Sequence, residues 1–156
     1  MTLLSQTDRR LLDALQQDLD RSQQELADIA GVSRTACWRR LKELDEAKII
    51  DRRVALLNPE KLGLPIFVLL FVSMTEHSDA IRDAFEGHVA ALPEIMECYA
   101  ISGDRDYLLH VITRSVEDYD RFLNRKILHH PSVRSASSSF ALRRMKYTTR
   151  LPLNGI

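Results

Sequence analysis

Apolar positions recur at helical spacing over the first third of the chain, and in unbroken runs or strict alternation over much of the rest. Leu11, Leu12, Leu15 and Leu19 predict a helix that starts near Thr7-Asp8. A second helix follows Ser22, with Leu26, Ile29 and Ala30 facing a core. Ser22 and Glu25, three residues apart, have the spacing of a capping box, in which each side chain satisfies a backbone amide of the first turn. Gly31 suits the position just past a helix end, where φ is positive. Ser33 is placed to cap a third helix, in which Cys37, Leu41 and Leu44 at i, i+4 and i+7 form the buried stripe. Together these make a three-helix unit containing a helix-turn-helix at about 23–42. Beyond Ile50, Asp51 to Leu57 reads as a short extended segment closed by an Asn58-Pro59 turn.

The period changes after Pro65. Ile66–Met74 is a strand, its core Ile66 to Val72 too short an apolar run to span a bilayer. A helix from Ser78 to Ala91 turns Ile81, Phe85 and Val89 inward and stops at Pro93. In Ile95–Ser102, Met96, Cys98 and Ala100 alternate with Glu97, Tyr99 and Ile101, and Gly103-Asp104 is a hairpin turn. A third strand spans Asp106–Thr113. A second helix starts at Ser115 with Val116, Tyr119, Phe122 and Leu123 inward and ends near His129-His130-Pro131. A last strand covers Arg134–Lys146. The fold class is therefore α+β: a winged helix-turn-helix domain over 1–60, then a ferredoxin-like βαββαβ domain over 61–156. With both helices on one face of the sheet, the other face needs a cover. A second copy of the chain is the simplest one, which predicts at least a dimer.

Charge changes the picture where it is local. The chain is formally neutral. Residues 31–57, however, hold seven bases (Arg34, Arg39, Arg40, Lys42, Lys48, Arg52, Arg53) against four acids, and residues 61–120 hold eleven acids against four bases. From Arg121 onward there are eight bases and no acid. On the third helix, Arg34, Thr35, Trp38, Arg39 and Lys42 lie opposite the apolar stripe. A tight turn, a short buried stripe and a cationic outer stripe are what a helix seated in the major groove needs. The partner implied is double-stranded DNA. Ser33, Arg34, Thr35, Trp38, Arg39 and Lys42 are the expected contacts, with Arg52 and Arg53 either on the phosphate backbone as a wing or solvated in a linker. The acid-free segment either supports wrapped DNA or pairs with the acidic middle of the chain.

Other chemistry is thin. Cys37 and Cys98 fall in different modules without metal-ligand spacing. They read as core fillers in a reducing cytosol, and no metal or cofactor is expected. The five histidines form no HExxH and no i, i+4 pair, and no phosphate-binding glycine loop or nucleophile signature is present. An enzyme on a ferredoxin-like dimer is thus a remote alternative. No signal peptide or membrane segment is evident, which predicts a cytoplasmic location.

Five segments in order, TDRRLLDALQQD, ELADIAGVSRTACWRRLKEL, VALLNPEKLGL, SGDRDYLLHV and SSSFALRRMKYTTRLPL, resemble the leucine-responsive/asparagine-responsive (Lrp/AsnC, feast/famine) family of prokaryotic transcription regulators over nearly the whole chain. The resemblance implies a winged helix-turn-helix joined to an amino-acid-sensing domain, assembly as dimers and further as octamers, and a small amino-acid effector near the loop between the second and third strands. Here that loop matches Ser102, Gly103, Asp104, Arg105 and Asp106, of which Ser102, Gly103, Asp104 and Asp106 are the expected contacts, with Ser137, Ser138 and Ser139 on the last strand lining the same site. A zwitterion needs donors for its carboxylate and acceptors for its ammonium, and these residues carry both. Cys37-Trp38 resembles the subgroup that regulates cysteine and branched-chain amino-acid breakdown. One departure stands out: the family has Gly before the isoleucine that ends the unit, and this chain has Ala47-Lys48-Ile49-Ile50. An architectural DNA-binding protein without an effector is the alternative function.

Overall fold

The computed structural model describes residues 4–153. The chain divides into two compact units: one runs up to Leu56 and takes back the chain from Lys146 onward, and the other spans Leu57–Met145. The sequence reading puts one boundary near residue 60 and leaves 146–156 in the second domain. The structure instead returns the described part of that tail to the first unit.

In the first unit, α1 (Gln6–Gln17), α2 (Gln23–Ala30) and α3 (Arg34–Glu46) each begin at a serine. Ser5 and Ser22 close capping boxes with Asp8 and Glu25, and Ser33 accepts from the Ala36 amide at 3.2 Å. Leu11, Ala14, Leu26, Ala27, Ala30 and Cys37 form the core, with Leu15, Val32 and Leu41 against it. Two expected core positions differ. Ile29 is outward and Ala27 inward, because on this two-turn helix the buried face runs through 26, 27 and 30, where small alanines permit close approach. Leu19 is exposed, since α1 ends at Gln17 and the extended Asp18 carries the chain away.

Both helices of the helix-turn-helix end in the same backbone motif. After α2, Val32 N donates to Ala27 O and Gly31 N to Asp28 O, with Gly31 at φ 71°. After α3, Ile49 N donates to Leu44 O and Lys48 N to Asp45 O, with Lys48 at φ 56°. This is the Schellman arrangement, which favours glycine at the left-handed position. The missing family glycine is therefore this one, and lysine holds its conformation at a steric penalty of about 1–2 kcal/mol. Glycine's greater freedom in the unfolded chain offsets part of that gain. Lys48→Gly is expected to stabilise the unit by about 0.5–1 kcal/mol in denaturant titration. An unchanged or lower midpoint would mean that the Lys48 side chain compensates for the strain.

Residues 51–58 are exposed and carry no regular strand, so the wing expected there is an irregular segment in the single chain. The returning tail docks on α1. Arg150 reaches both carboxylate oxygens of Asp13 at 2.7 Å. Leu151 N donates to Gln16 Oε1 at 2.6 Å, and Gln16 Nε2 donates back to Leu151 O at 3.3 Å.

The second unit is β1 (Ile66–Met74), α4 (Asp79–Ala90), β2 (Ile95–Ala100), β3 (Tyr107–Thr113), α5 (Val116–Phe122) and β4 (Val133–Phe140), with a π-helical turn over Leu123–Leu128 after α5. The sheet is antiparallel in the order β2-β3-β1-β4, the ferredoxin-like arrangement. Val68, Leu70, Val72, Leu109 and Val111 project from one face onto Phe85, Val89, Tyr119, Phe122 and Ile127. The opposite face carries Phe67, Leu69 and Phe71 on β1 and Leu108, His110 and Ile112 on β3, paired in register. It is apolar at its centre, and Leu69 is 37% exposed.

Strand ends fall short of the sequence reading. β2 stops at Ala100 and β4 at Phe140, with one further backbone bond past each end, Ile101 N to Asp106 O and Ala141 N to Phe67 O, both at 2.9 Å. Val116 is exposed because it opens α5. Cys98, expected in a core, is exposed on the edge strand β2. Its thiol is pushed up to about 11 by partial burial of the group and by the nearby Glu86 carboxylate, which leaves little of it as thiolate at neutral pH. Among the described residues no helix is long and apolar enough to cross a membrane, and no three His, Cys, Asp or Glu side chains gather to hold a metal ion.

Candidate nucleic-acid interface and effector loop

The outer face of α3 is built from the inside. Cys37 and Leu44 are buried and Leu41 packs on the core, which fixes the helix's rotation and turns Arg34, Thr35, Trp38, Arg39 and Lys42 to solvent. A buried charge pair fixes it further. Asp8 is 1% exposed, and its carboxylate accepts from Ser5 N at 2.9 Å, Ser5 Oγ at 2.6 Å, and Arg40 Nε at 2.9 Å with Nη2 beside it. Burial alone would raise the Asp8 carboxyl. The Arg40 and Ser5 hydrogen bonds and the Arg40 charge outweigh it and hold the group below its ordinary 3.8. Arg40 also meets Glu43 at 2.6 Å. Arg40, one of the seven bases of residues 31–57 but outside the outward stripe, is the clamp between α1 and α3.

The remaining cations are loosely held. Arg39 lies 3.7 Å from Glu43 and Lys42 3.7 Å from Glu46, exposed pairs worth little in water and easily exchanged for phosphate oxygens. The Lys42 ammonium sits 5.5 Å from the centre of the Trp38 ring. Arg34 Nε reaches Gln23 Oε1 at 3.5 Å. Gln23, absent from the sequence reading, lines with Arg34, Thr35 and Trp38 an open depression of about 260 Å³. Arg52 pairs with its neighbour Asp51 at 2.9 Å, and Arg53 with Asp45 of α3 at 2.8 Å. In the acid-free segment Arg121 pairs with Asp118, Lys126 with Glu94 at 2.9 Å and Arg150 with Asp13, so these three cations already have acidic partners.

The β2–β3 loop holds Ser102, Gly103 and Asp104 exposed, with Gly103 at φ 111°. Asp106 is not free: Oδ2 accepts the Met74 amide at 2.7 Å and Oδ1 lies 3.4 Å from His77 Nδ1. The three serines of β4 do not share one face. Ser137 and Ser139 pair with Phe71 and Leu69 on the open side, while Ser138 turns to the helices and bonds Tyr119 Oη. The residue that joins loop to β4 is Arg105, whose Nη1 reaches Ser73 Oγ at 3.3 Å and Ser135 Oγ at 3.5 Å. The period-2 alternation of β4 foretells the split of the serines. The loop match includes Arg105, but nothing local foretells its reach to Ser73 and Ser135.

Comparison with known proteins decides the family. Residues 4–51 match the model of the winged helix-turn-helix DNA-binding domain, and residues 68–151 match that of the Lrp/AsnC ligand binding domain. The chain belongs to the Lrp/AsnC family. It is 37% identical over 151 residues to the DNA-binding transcriptional activator DecR of Escherichia coli K12, covering 97% of this chain and 99% of that protein. It is 38% identical over 150 residues to the glutamate uptake regulatory protein of Zymomonas mobilis, covering 96% and 91%. The crystal structure of a transcriptional regulator from Neisseria meningitidis in complex with L-methionine superposes with a TM-score of 0.94 at 36% identity, covering 97% of this chain and 98% of that one. This Lrp/AsnC chain is a DNA-binding transcription regulator and not an enzyme.

Proposed function

We propose that this Lrp/AsnC regulator lays α3 in the major groove, with Ser33, Arg34, Thr35, Trp38, Arg39 and Lys42 toward the DNA, and changes its assembly or DNA affinity when a small amino acid binds at the β2–β3 loop. The observation that carries the first part is the outward, cationic and weakly paired face of α3, whose rotation is set by Cys37, Leu44 and the Asp8–Arg40 clamp. Arg52 and Arg53 lie on the exposed segment after α3 and approach the phosphate backbone by exchanging their carboxylates. The open apolar sheet face supports pairing with a second copy, which also brings two recognition helices to two half-sites. As a regulator of genomic DNA it works in the cytoplasm.

For the effector, Asp104 offers an unshared carboxylate to an ammonium, and Gly103 exposes backbone to a carboxylate. Arg105 adds a charged guanidinium donor, where the serines at 137–139 offer only neutral hydroxyls. A methionine complex of the Neisseria relative makes L-methionine a sensible first ligand to test. Arg39→Ala is expected to weaken operator binding by about 1–3 kcal/mol. A loss confined to particular base changes marks a base contact, and a uniform loss with a reduced salt slope marks a phosphate contact. Operator affinity unchanged in that variant counts against this docking. Titration with each common amino acid, followed by assembly mass and gel shift, separates a sensor from an architectural protein, which responds to none.

A further inference from the structure

We propose that the depression beside Trp38 seats the 5-methyl group of one operator thymine, making Trp38 and Thr35 the residues that set base preference at that position; this rests on the DNA-binding reading above. The depression is lined by Gln23, Arg34, Thr35 and Trp38 and lies at the N-terminal half of α3, the part of a recognition helix that meets base edges. Its walls have two characters. The Trp38 indole and the Thr35 methyl are apolar, while the Arg34 guanidinium and the Gln23 amide supply donors.

A T·A pair shows the major groove a methyl group beside the O4 acceptor, and no other base edge combines the two. Cytosine and adenine present amino donors that would face the Arg34 donors, and guanine offers acceptors but no methyl. Trp38 is 52% exposed and outside the core cluster, so packing does not account for an indole at this position. The indole is nonetheless held. Lys42, one turn further on, stacks its ammonium on the ring, leaving the side toward Arg34 and Thr35 for a ligand.

The test uses the full chain and a duplex enriched from a random-sequence DNA pool. Each thymine of that duplex is replaced singly by uracil, which deletes only the methyl group. One replacement is expected to lower the affinity of the wild type about fourfold, the worth of one buried methyl group. The same replacement should have no effect on Trp38→Ala and a reduced effect on Thr35→Ser. A melting curve establishes that Trp38→Ala is folded. Thr35→Ser, a change at an exposed site, carries the comparison if it is not. Enrichment of a duplex in which no uracil replacement alters affinity overturns the inference and leaves DNA binding intact. So does a replacement that matters equally in the wild type and in both variants. Failure to enrich any duplex sinks the DNA-binding reading itself.

Discussion

Arg40→Ala is expected to lower the stability of the helix-turn-helix unit by about 2–3 kcal/mol. Removing one partner of a buried charge pair leaves the other desolvated and uncompensated, which costs about 3–5 kcal/mol in fully buried cases. Here the arginine side chain is 36% exposed, so the lower figure applies. The melting temperature of the unit should fall by about 10–15 °C. Asp8→Ala should act similarly, and the double variant should lose clearly less than the sum, because each single change already breaks the pair. Additive losses would show that the two residues act separately. The same pair sets an acid limit. Because the folded Asp8 carboxyl is held below its ordinary value, its contribution is complete above about pH 5 and disappears as pH falls below about 4 and through the folded value. Melting between about pH 3 and 7 should be steeper in pH for the wild type than for Asp8→Asn.

What was legible in the sequence is what acts over three or four residues. Ser22 with Glu25, Gly31 and Ser33 announce the helix ends by local hydrogen bonding, and the structure has each of them. β1 has the limits expected for it, Ile66–Met74, because a central strand is buried on its helix side and half-covered on the other and so carries a long apolar run. Errors arise where a distant partner decides. Nothing near Arg40 in the chain marks Asp8, 32 positions away, as its partner, and nothing near Arg150 marks Asp13, 137 positions away. A count of bases over residues 31–57 therefore includes one, Arg40, that is structural, and the last strand is drawn too long because the tail's destination is invisible. Cys98 fails for another reason. Alternation places it on the helix side of β2, but an edge strand has one flank open, and facing a core does not ensure burial there. At the loop, the charge of Asp106 marks it as an acceptor for an ammonium. Its carboxylate instead secures the end of β1 through the Met74 amide.

Leu69→Asp is expected to convert the assembled protein to monomers while leaving the chain folded. Leu69 sits mid-strand on the open sheet face, flanked by Phe67 and Phe71 on β1 and paired in register with His110 and Ser139. It lies outside the core cluster and is part-exposed in the single chain, so a carboxylate there stays hydrated in a monomer. In a face-to-face pair the two-fold repeats the substitution on the partner, and two unpaired carboxylates meet in an apolar interface. Desolvating them costs several kcal/mol, and about 4 kcal/mol corresponds to a roughly thousandfold weaker association. Operator affinity should fall with it, by about a hundredfold or more, because a lone recognition helix reads one half-site and loses the effective concentration of the second. Leu69→Met, equal in polarity and volume, should keep wild-type mass and affinity. Light scattering at matched concentration decides the matter: wild-type mass for Leu69→Asp would place the subunit contact elsewhere, at the β2 or β4 edge, and leave the apolar sheet face without a partner of its own kind.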